Sequence, residues 1–284
     1  MGQAMHTPGF IDDLAEKLRF DDAALPSMPE AVQQIRQSLN GNGVTISKLS
    51  QIIQKDPVLA TRIVRAGNSA IYRTVQPVES VSDAVMRMGL SRTQNIALVL
   101  LKNSFQARHK LIKDRIGWLW NESLHVASIA HVLADHYDFV SSDRAVLGGL
   151  LQNVGALLLL TIVDEKLSDL KHEAILDVMI KQYACEFGAK LLTHWEMDAE
   201  LIAVAQNRNN WNRSHAEAAD LADLILLAKS CLQYDIDTNY GLPEHQTLPA
   251  FEKLQASYPL EVELQKLIQD NNERIDSMRK MLSA

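Results

Sequence analysis

Apolar positions recur at three- and four-residue spacing through most of the chain, and no segment sustains the period-two alternation of a half-buried strand. This pattern predicts helices at about 10–19, 29–40, 46–55, 57–67, 80–88 and 91–108, then 114–137, 142–162, 168–182, 198–210, 215–234 and 259–282. Helix-start signals accompany them. Ser27 with Glu30, Ser80 with Asp83, Ser91 with Gln94 and Ser214 with Glu217 each set a short acceptor three residues before a side chain able to reach back. Asp56-Pro57 is a fifth start, because proline costs nothing at a position whose N–H has no helical partner. The predicted fold class is all-α.

The punctuation between helices suggests two lobes. Gly41-Asn42-Gly43 reads as a turn, and Pro243 and Pro249 place a long irregular surface connection between Tyr234 and Pro259. The turn-prone segment 107–115 sets a lobe boundary near Lys113. The expected organisation is an N-terminal helical extension at 1–24, a helical lobe at 25–113, a second at 114–235, and an irregular connection with a last helix at 236–284. In that last helix Leu264, Ile268, Asn271, Ile275, Met278 and Leu282 follow a spacing of four, three, four, three, four. A seam of period 3.5 either docks on its own domain or pairs with a second copy as a homodimer, with Asn271 as a polar interruption or register-setting residue.

Composition narrows the function. The 28 basic and 35 acidic residues give a formal net charge of −7, which argues against nucleic-acid binding as the main activity. The basic cluster Lys102, Arg108, His109, Lys110, Lys113 and Arg115 reads as a solvated lobe junction, with phosphate contact as the alternative. The longest apolar run, Ala156–Val163, is short for a membrane span, and the first ten residues lack the pattern of a secretory signal. A cytoplasmic protein without membrane contact is expected. Cys185 and Cys231 are too far apart for a CxxC motif and are read as buried thiols. There is no GxSxG elbow, P-loop or GxGxxG run, and the spacing of His125, His131 and His136 forms no metal clamp. His194 and His215 are read as packing or capping groups.

From Leu25 the chain reads LPSMPEAVQQI, then TISKLSQIIQKDPVLATRIVRAGNSAIY at 45–72 and VESVSDAVMRMGLSRTQNIAL at 78–98, followed by Trp120, GGLLQNVGALLL at 148–159 and FGAKLLTHW at 187–195. Over roughly 25–235 this resembles the HDOD family, relatives of HD-type metal phosphohydrolases. The resemblance implies an N-terminal helical bundle packed on an HD-like helical domain. It also implies a bacterial regulatory role through contacts with a signalling protein. Asn68, Ser69 and Tyr72, in the Asn-Ser-Ala-x-Tyr block, are read as structural, with ligand or partner contact as the alternative.

An HD phosphohydrolase holds divalent metal with a histidine, a His-Asp pair and a later aspartate, whose anionic oxygens offset the ion and help generate a bound hydroxide. Here Gln152 and Asn153 stand at the His-Asp pair, Glu122 at the first histidine, Asn207 and Arg208 at a later His-His position, and Lys229 at the final aspartate. The resemblance therefore implies a site without catalytic residues, metal or cofactor. Glu122 and Lys229 are expected to pair across it, so that Lys229→Ala would cost a few kcal/mol if the pair is buried. A second expectation is a phosphate ligand such as a cyclic dinucleotide, held by Arg208, Lys229, Asn153 and Asn207. A residual hydrolase is a third.

Overall fold

Asp56 and Ser80 open their helices as their spacing predicts. The protein, seen in a computed structural model, is described over residues 25–40, 45–72, 76–166, 173–215, 218–234, 242–260 and 262–283. The first lobe contains α1 (Glu30–Asn40), α2 (Ile46–Gln54), α3 (Pro57–Gly67), α4 (Val81–Met88) and α5 (Leu90–Leu98). Asp56 Oδ1 accepts from the Val58 and Leu59 amides at 2.9 and 3.1 Å. Ser80 Oγ accepts from the Asp83 amide at 3.0 Å and donates to its carboxylate at 2.6 Å. The start predicted at Ser91 shifts: α5 begins at Leu90, after Gly89, whose φ of 82° suits a residue without Cβ. The chain then tightens into a 3₁₀ turn, Val99–Ser104.

The second lobe is built on α6 (Lys110–Tyr137), with α7 (Ser142–Leu151), α8 (Val154–Lys166), α9 (Glu173–His194), α10 (Ala199–Gln206) and α11 (Leu221–Ser230) around it. Lys113, the expected lobe boundary, falls within the first turn of α6. The earlier start of this helix has a tertiary cause. His109 provides no side-chain cap; instead the buried Asp164 carboxylate on α8 accepts from the Arg108 and His109 amides at 2.6 and 2.9 Å. The same carboxylate lies 2.8 Å from His109 Nδ1 and 3.6 Å from Arg108 Nε, so two members of the basic cluster have an acidic partner while their side chains stay exposed.

Three predicted helices are corrected. The stretch 142–162 is two helices interrupted at Gln152–Asn153. The helix predicted to end at 182 continues to His194, because Gly188 packs against Gly155 instead of terminating it. The start predicted at Ser214 lies at Leu221, where Asp220 and Asp223 form a reciprocal capping box. Glu217, the extension 1–24 with its helix at 10–19, and the turn at 41–43 lie outside the described residues.

The connection expected to be irregular contains α12 (Pro249–Ser257), with Pro249 at its first position. The seam is divided into α13 (Leu264–Asp270) and α14 (Asn272–Ser283). Asn271 sits at the break, its Nδ2 donating to the Leu267 carbonyl at 3.0 Å. Leu264, Ile268, Ile275, Met278 and Leu282 are all buried, and α14 packs on α6, α3 and the turn Ala70–Tyr72. The apolar side of the seam is therefore occupied by its own chain.

One apolar core runs through both lobes. Small residues permit its tightest crossings: a Cβ at Gly149 would lie 2.4 Å from Ala127 Cα, and one at Gly155 would lie 2.0 Å from the Ala184 carbonyl oxygen. Between lobes, Arg92 Nε and Asn95 Nδ2 reach the side chain and carbonyl of Asp143 at 3.0 and 2.8 Å. Arg36 Nη1 donates to the Glu196 carbonyl at 2.8 Å, and Trp195 Nε1 to that of Pro26 at 2.9 Å. Taken together, 142–164 is long and apolar enough by composition to cross a membrane, longer than the run counted from sequence, yet 94% of its most apolar window is buried inside the protein.

Candidate functional site

The break between α7 and α8 places Asn153 against the middle of α6. Its Nδ2 lies 2.9 Å from Glu122 Oε1, 3.1 Å from the Leu119 carbonyl and 3.1 Å from Ser123 Oγ. Its Oδ1 accepts from Arg208 Nε at 2.9 Å and Nη2 at 2.6 Å. From α11, Lys229 Nζ approaches Glu122 Oε1 to 2.9 Å, a close ion contact rather than an aligned hydrogen bond. The side chains of Lys229 and Glu122 are 3% and 5% exposed, so water screens them little. The predicted pair exists, and it is buried.

One carboxylate here faces two cations. Burial pushes the Glu122 carboxyl up, but Lys229, then Arg208, and the Asn153 hydrogen bond outweigh it and hold the group below its ordinary range. Burial pushes the Lys229 ammonium down to about 8 against the pull of Glu122, with Arg208 adding repulsion. Burial also lowers Arg208, opposed by Glu122. The two cations compete for one anion, and lysine is the one able to yield its proton near neutrality.

The remaining site positions divide. Gln152 is fully buried, and neither Nε2 nor Oε1 has a hydrogen-bond partner. Asn207, expected among the ligand donors, instead ends α10: its Nδ2 donates to the Ala203 carbonyl at 2.9 Å and its Oδ1 accepts from Asn210. The amide favours this local carbonyl because the side chain reaches one turn back along its own helix. In the first lobe Asn68 clasps Val78, donating from Nδ2 to its carbonyl and accepting its amide at Oδ1, both at 2.8 Å. Arg92 lies over the Tyr72 ring at 5.7 Å, and Ser69 Oγ is buried without a partner. This cluster stands apart from the Glu122 site. Cys231 is a buried free thiol, as expected, while Cys185 is only half-buried.

The cluster borders a cleft of about 620 Å³ lined by Arg115, Trp118, Glu122, Asp177, Lys181, Arg208, Trp211 and Lys229, among others. Trp118, Asp177, Lys181 and Trp211 belong to no motif of the sequence. Arg115, Trp118, Leu119 and Glu122 follow the spacing i, i+3, i+4, i+7 on α6, the one signal that could have marked this face from sequence. Asp177 on α9 pairs with Arg115, and that guanidinium lies over the Trp118 ring at 4.9 Å.

The donors do not suit the metal that HD enzymes hold. Gln152 and Asn153 offer neutral amides, and an ammonium group takes the oxygen of the carboxylate beside them. A second cluster, His215, Asp220 and Asp223, brings ligand atoms within 4.8 Å of one another. Arg213 already occupies it: Nη2 donates to Asp220 at 2.6 Å, and Nη1 contacts Asp223 and lies 2.6 Å from His215 Nε2. The guanidinium supplies the counter-charge a metal would bring.

The fold and several sequence blocks have known counterparts. The chain is 25% identical over 267 residues to an uncharacterized protein of Treponema pallidum (strain Nichols), covering 88% of this chain and 50% of that one. It thus spans about half the length of the curated relative it matches. Among solved structures, a protein of Shewanella amazonensis SB2B, provisionally named a metal-dependent phosphohydrolase, superposes with a TM-score of 0.79 at 19% identity, over 96% of this chain and 98% of the other. An HDOD domain protein of unknown function from Geobacter sulfurreducens gives 0.71 at 20%, over 97% and 98%. A protein of Marinobacter aquaeolei VT8, provisionally named a signal transduction protein, gives 0.67 at 21%, over 100% and 68%. The HDOD domain pattern itself matches residues 25–211, most of the chain, and includes Glu122, the Gln152–Asn153 break and Arg208. The chain belongs to the HDOD domain family.

Proposed function

We propose that this protein is a non-catalytic regulatory module that acts through contacts with a signalling partner. The observation carrying this reading is the Lys229–Glu122 contact of 2.9 Å, with Arg208 held on Asn153 beside it. Cationic side chains stand where a phosphohydrolase would bring a divalent ion, and a cation does not generate a metal-bound hydroxide. The signal-transduction name of the Marinobacter relative agrees with a regulatory role, whereas the phosphohydrolase name of the Shewanella relative points to chemistry for which this donor set is poorly suited.

Elemental analysis of protein purified without chelator, with a generic phosphodiester assay in added manganese, tests the reading. Substoichiometric metal and no hydrolysis are expected. A stoichiometric transition metal, or turnover abolished by Glu122→Gln, would overturn it.

A further inference from the structure

The chain carries a net charge of −7, yet one cleft in it is positive. Among its lining residues, Arg115, Lys181, Arg208 and Lys229 oppose only Glu122 and Asp177, four cations against two carboxylates. Arg115 is matched by Asp177 and Lys229 by Glu122, which leaves the buried Arg208 at the floor and the exposed Lys181 on the wall in excess of the lining carboxylates. Among the described residues Arg208 hydrogen-bonds only to the neutral Asn153 oxygen, through Nε and Nη2, and shares the Glu122 carboxylate with Lys229, so two buried cations face one buried anion. A concave, low-dielectric surface with unbalanced positive charge concentrates anions.

The walls carry a different signal. Trp118 is 39% exposed and Trp211 half-buried, both on the same cleft. Arg115 covers part of the Trp118 ring and Trp211 packs on Leu226, Leu248 and Ala250, so the indole surface these two leave exposed lies beside excess cationic charge and suits a molecule combining a flat ring with an anion. A volume of about 620 Å³ lies within the range of pockets that enclose small ligands.

We infer that this cleft is a binding site for an anionic aromatic metabolite of the nucleoside monophosphate class, with the phosphate toward Arg208 and Lys181 and the base against Trp118 and Trp211. The regulatory use of this site rests on the proposed absence of hydrolysis, because the ligand would be held rather than cleaved, whereas binding itself does not depend on it. It differs from the phosphate site expected from sequence in its donors: Asn153 is committed to Glu122 and Arg208, and Asn207 to its own helix. Ligand binding here would bridge α6, α9 and the segment after α10, so it offers a means by which a small molecule sets the state of a regulatory surface.

The test is titration calorimetry with tryptophan fluorescence on the full chain, using GMP, AMP, guanosine and inorganic phosphate as separate probes. A nucleoside monophosphate is expected to bind and quench fluorescence, with guanosine and phosphate each at least about tenfold weaker, the worth of one lost stack or ionic contact. Lys181→Glu and Trp118→Ala alter exposed side chains and should each weaken binding about tenfold while the ligand-free melting temperature stays near wild type. No heat or quenching at millimolar GMP and AMP would overturn the inference, as would phosphate alone binding equally well or both variants binding like wild type. Chromatography of the recovered nucleotide separates the two readings. Intact nucleotide after binding supports both, bound nucleotide converted to nucleoside sinks only the non-catalytic reading, and absent binding sinks only this one.

Discussion

Lys229 on α11 and Glu122 on α6 meet at 2.9 Å inside the protein, 107 positions apart in sequence, and Arg208 stands close enough to compete for the same carboxylate. Removing the anion strands two buried cations, whereas removing the lysine leaves Glu122 with Arg208. Glu122→Gln is therefore expected to cost about 3–5 kcal/mol, the usual loss when one member of a buried pair is deleted. Lys229→Met, which keeps the apolar stem, should cost less. Urea denaturation of the two variants and their combination measures both terms, and a Lys229→Met loss equal to or above that of Glu122→Gln would contradict this charge balance.

Gln152 is buried with an unpartnered amide, although its backbone position ends α7 beside the cluster. Each unsatisfied polar atom costs about 1–3 kcal/mol. Gln152→Met has nearly the same shape and no comparable desolvation, so it should leave stability unchanged or raise it. A loss above about 1 kcal/mol in the same assay would mean that the amide has a partner in solution.

Gly155→Ala places a methyl group 2.0 Å from the Ala184 oxygen and 2.3 Å from the Gly188 amide nitrogen, both backbone atoms that no rotamer can move aside. The α8–α9 crossing must open, at a cost of about 1–3 kcal/mol or more. Gly117→Ala provides the control, because nothing lies within 4 Å of its added Cβ. Thermal melts should show a large drop for the first variant and little change or a small rise for the second.

His131 is buried, with Arg274 Nη2 3.1 Å from its Nε2, and Arg274 also pairs with Asp135. Burial, with Arg274 adding repulsion, lowers the imidazole to about 4, against an unfolded value of 6.5. Below 6.5 the unfolded chain binds the proton first, so stability falls as pH drops from about 6.5 to about 4, and is fully present above that window. Asp135, held below its ordinary value despite burial by Ser142, Arg274 and His131, adds a loss of the same sign at lower pH. Urea midpoints at pH 7, 5.5 and 4.5 should decline, and His131→Asn should flatten the decline; parallel curves would remove His131 as its cause.

Much of the architecture was legible because helix formation is local. A 3.6-residue period, the Asp56-Pro57 start and the Ser80–Asp83 pair act within one or two turns, and all three appear in the structure. Glu122 and Asn153 lie within the stretch that matches the family, whereas Lys229 lies beyond it, and the ion contact of Lys229 with Glu122 is visible only in the fold. The cleft was not read from sequence: helical spacing puts Arg115, Trp118 and Glu122 on one face of α6, but the opposing residues come from α9 and from beyond α10.

The chain by itself determined which segments are helical and which starts are capped, and its resemblance to one family singled out Glu122, Asn153 and Lys229 before they were seen together. Folding decided where helices stop or begin against that pattern: at Gln152–Asn153, where a buried amide turns toward α6, and at Lys110, where Asp164 from α8 holds the amides of Arg108 and His109. It also committed the 264–282 seam to its own core and Asn207 to its own helix. The physical reason is range. Dihedral preference and capping act over a few residues, whereas desolvation, close packing and charge balance depend on neighbours that only the folded chain brings together.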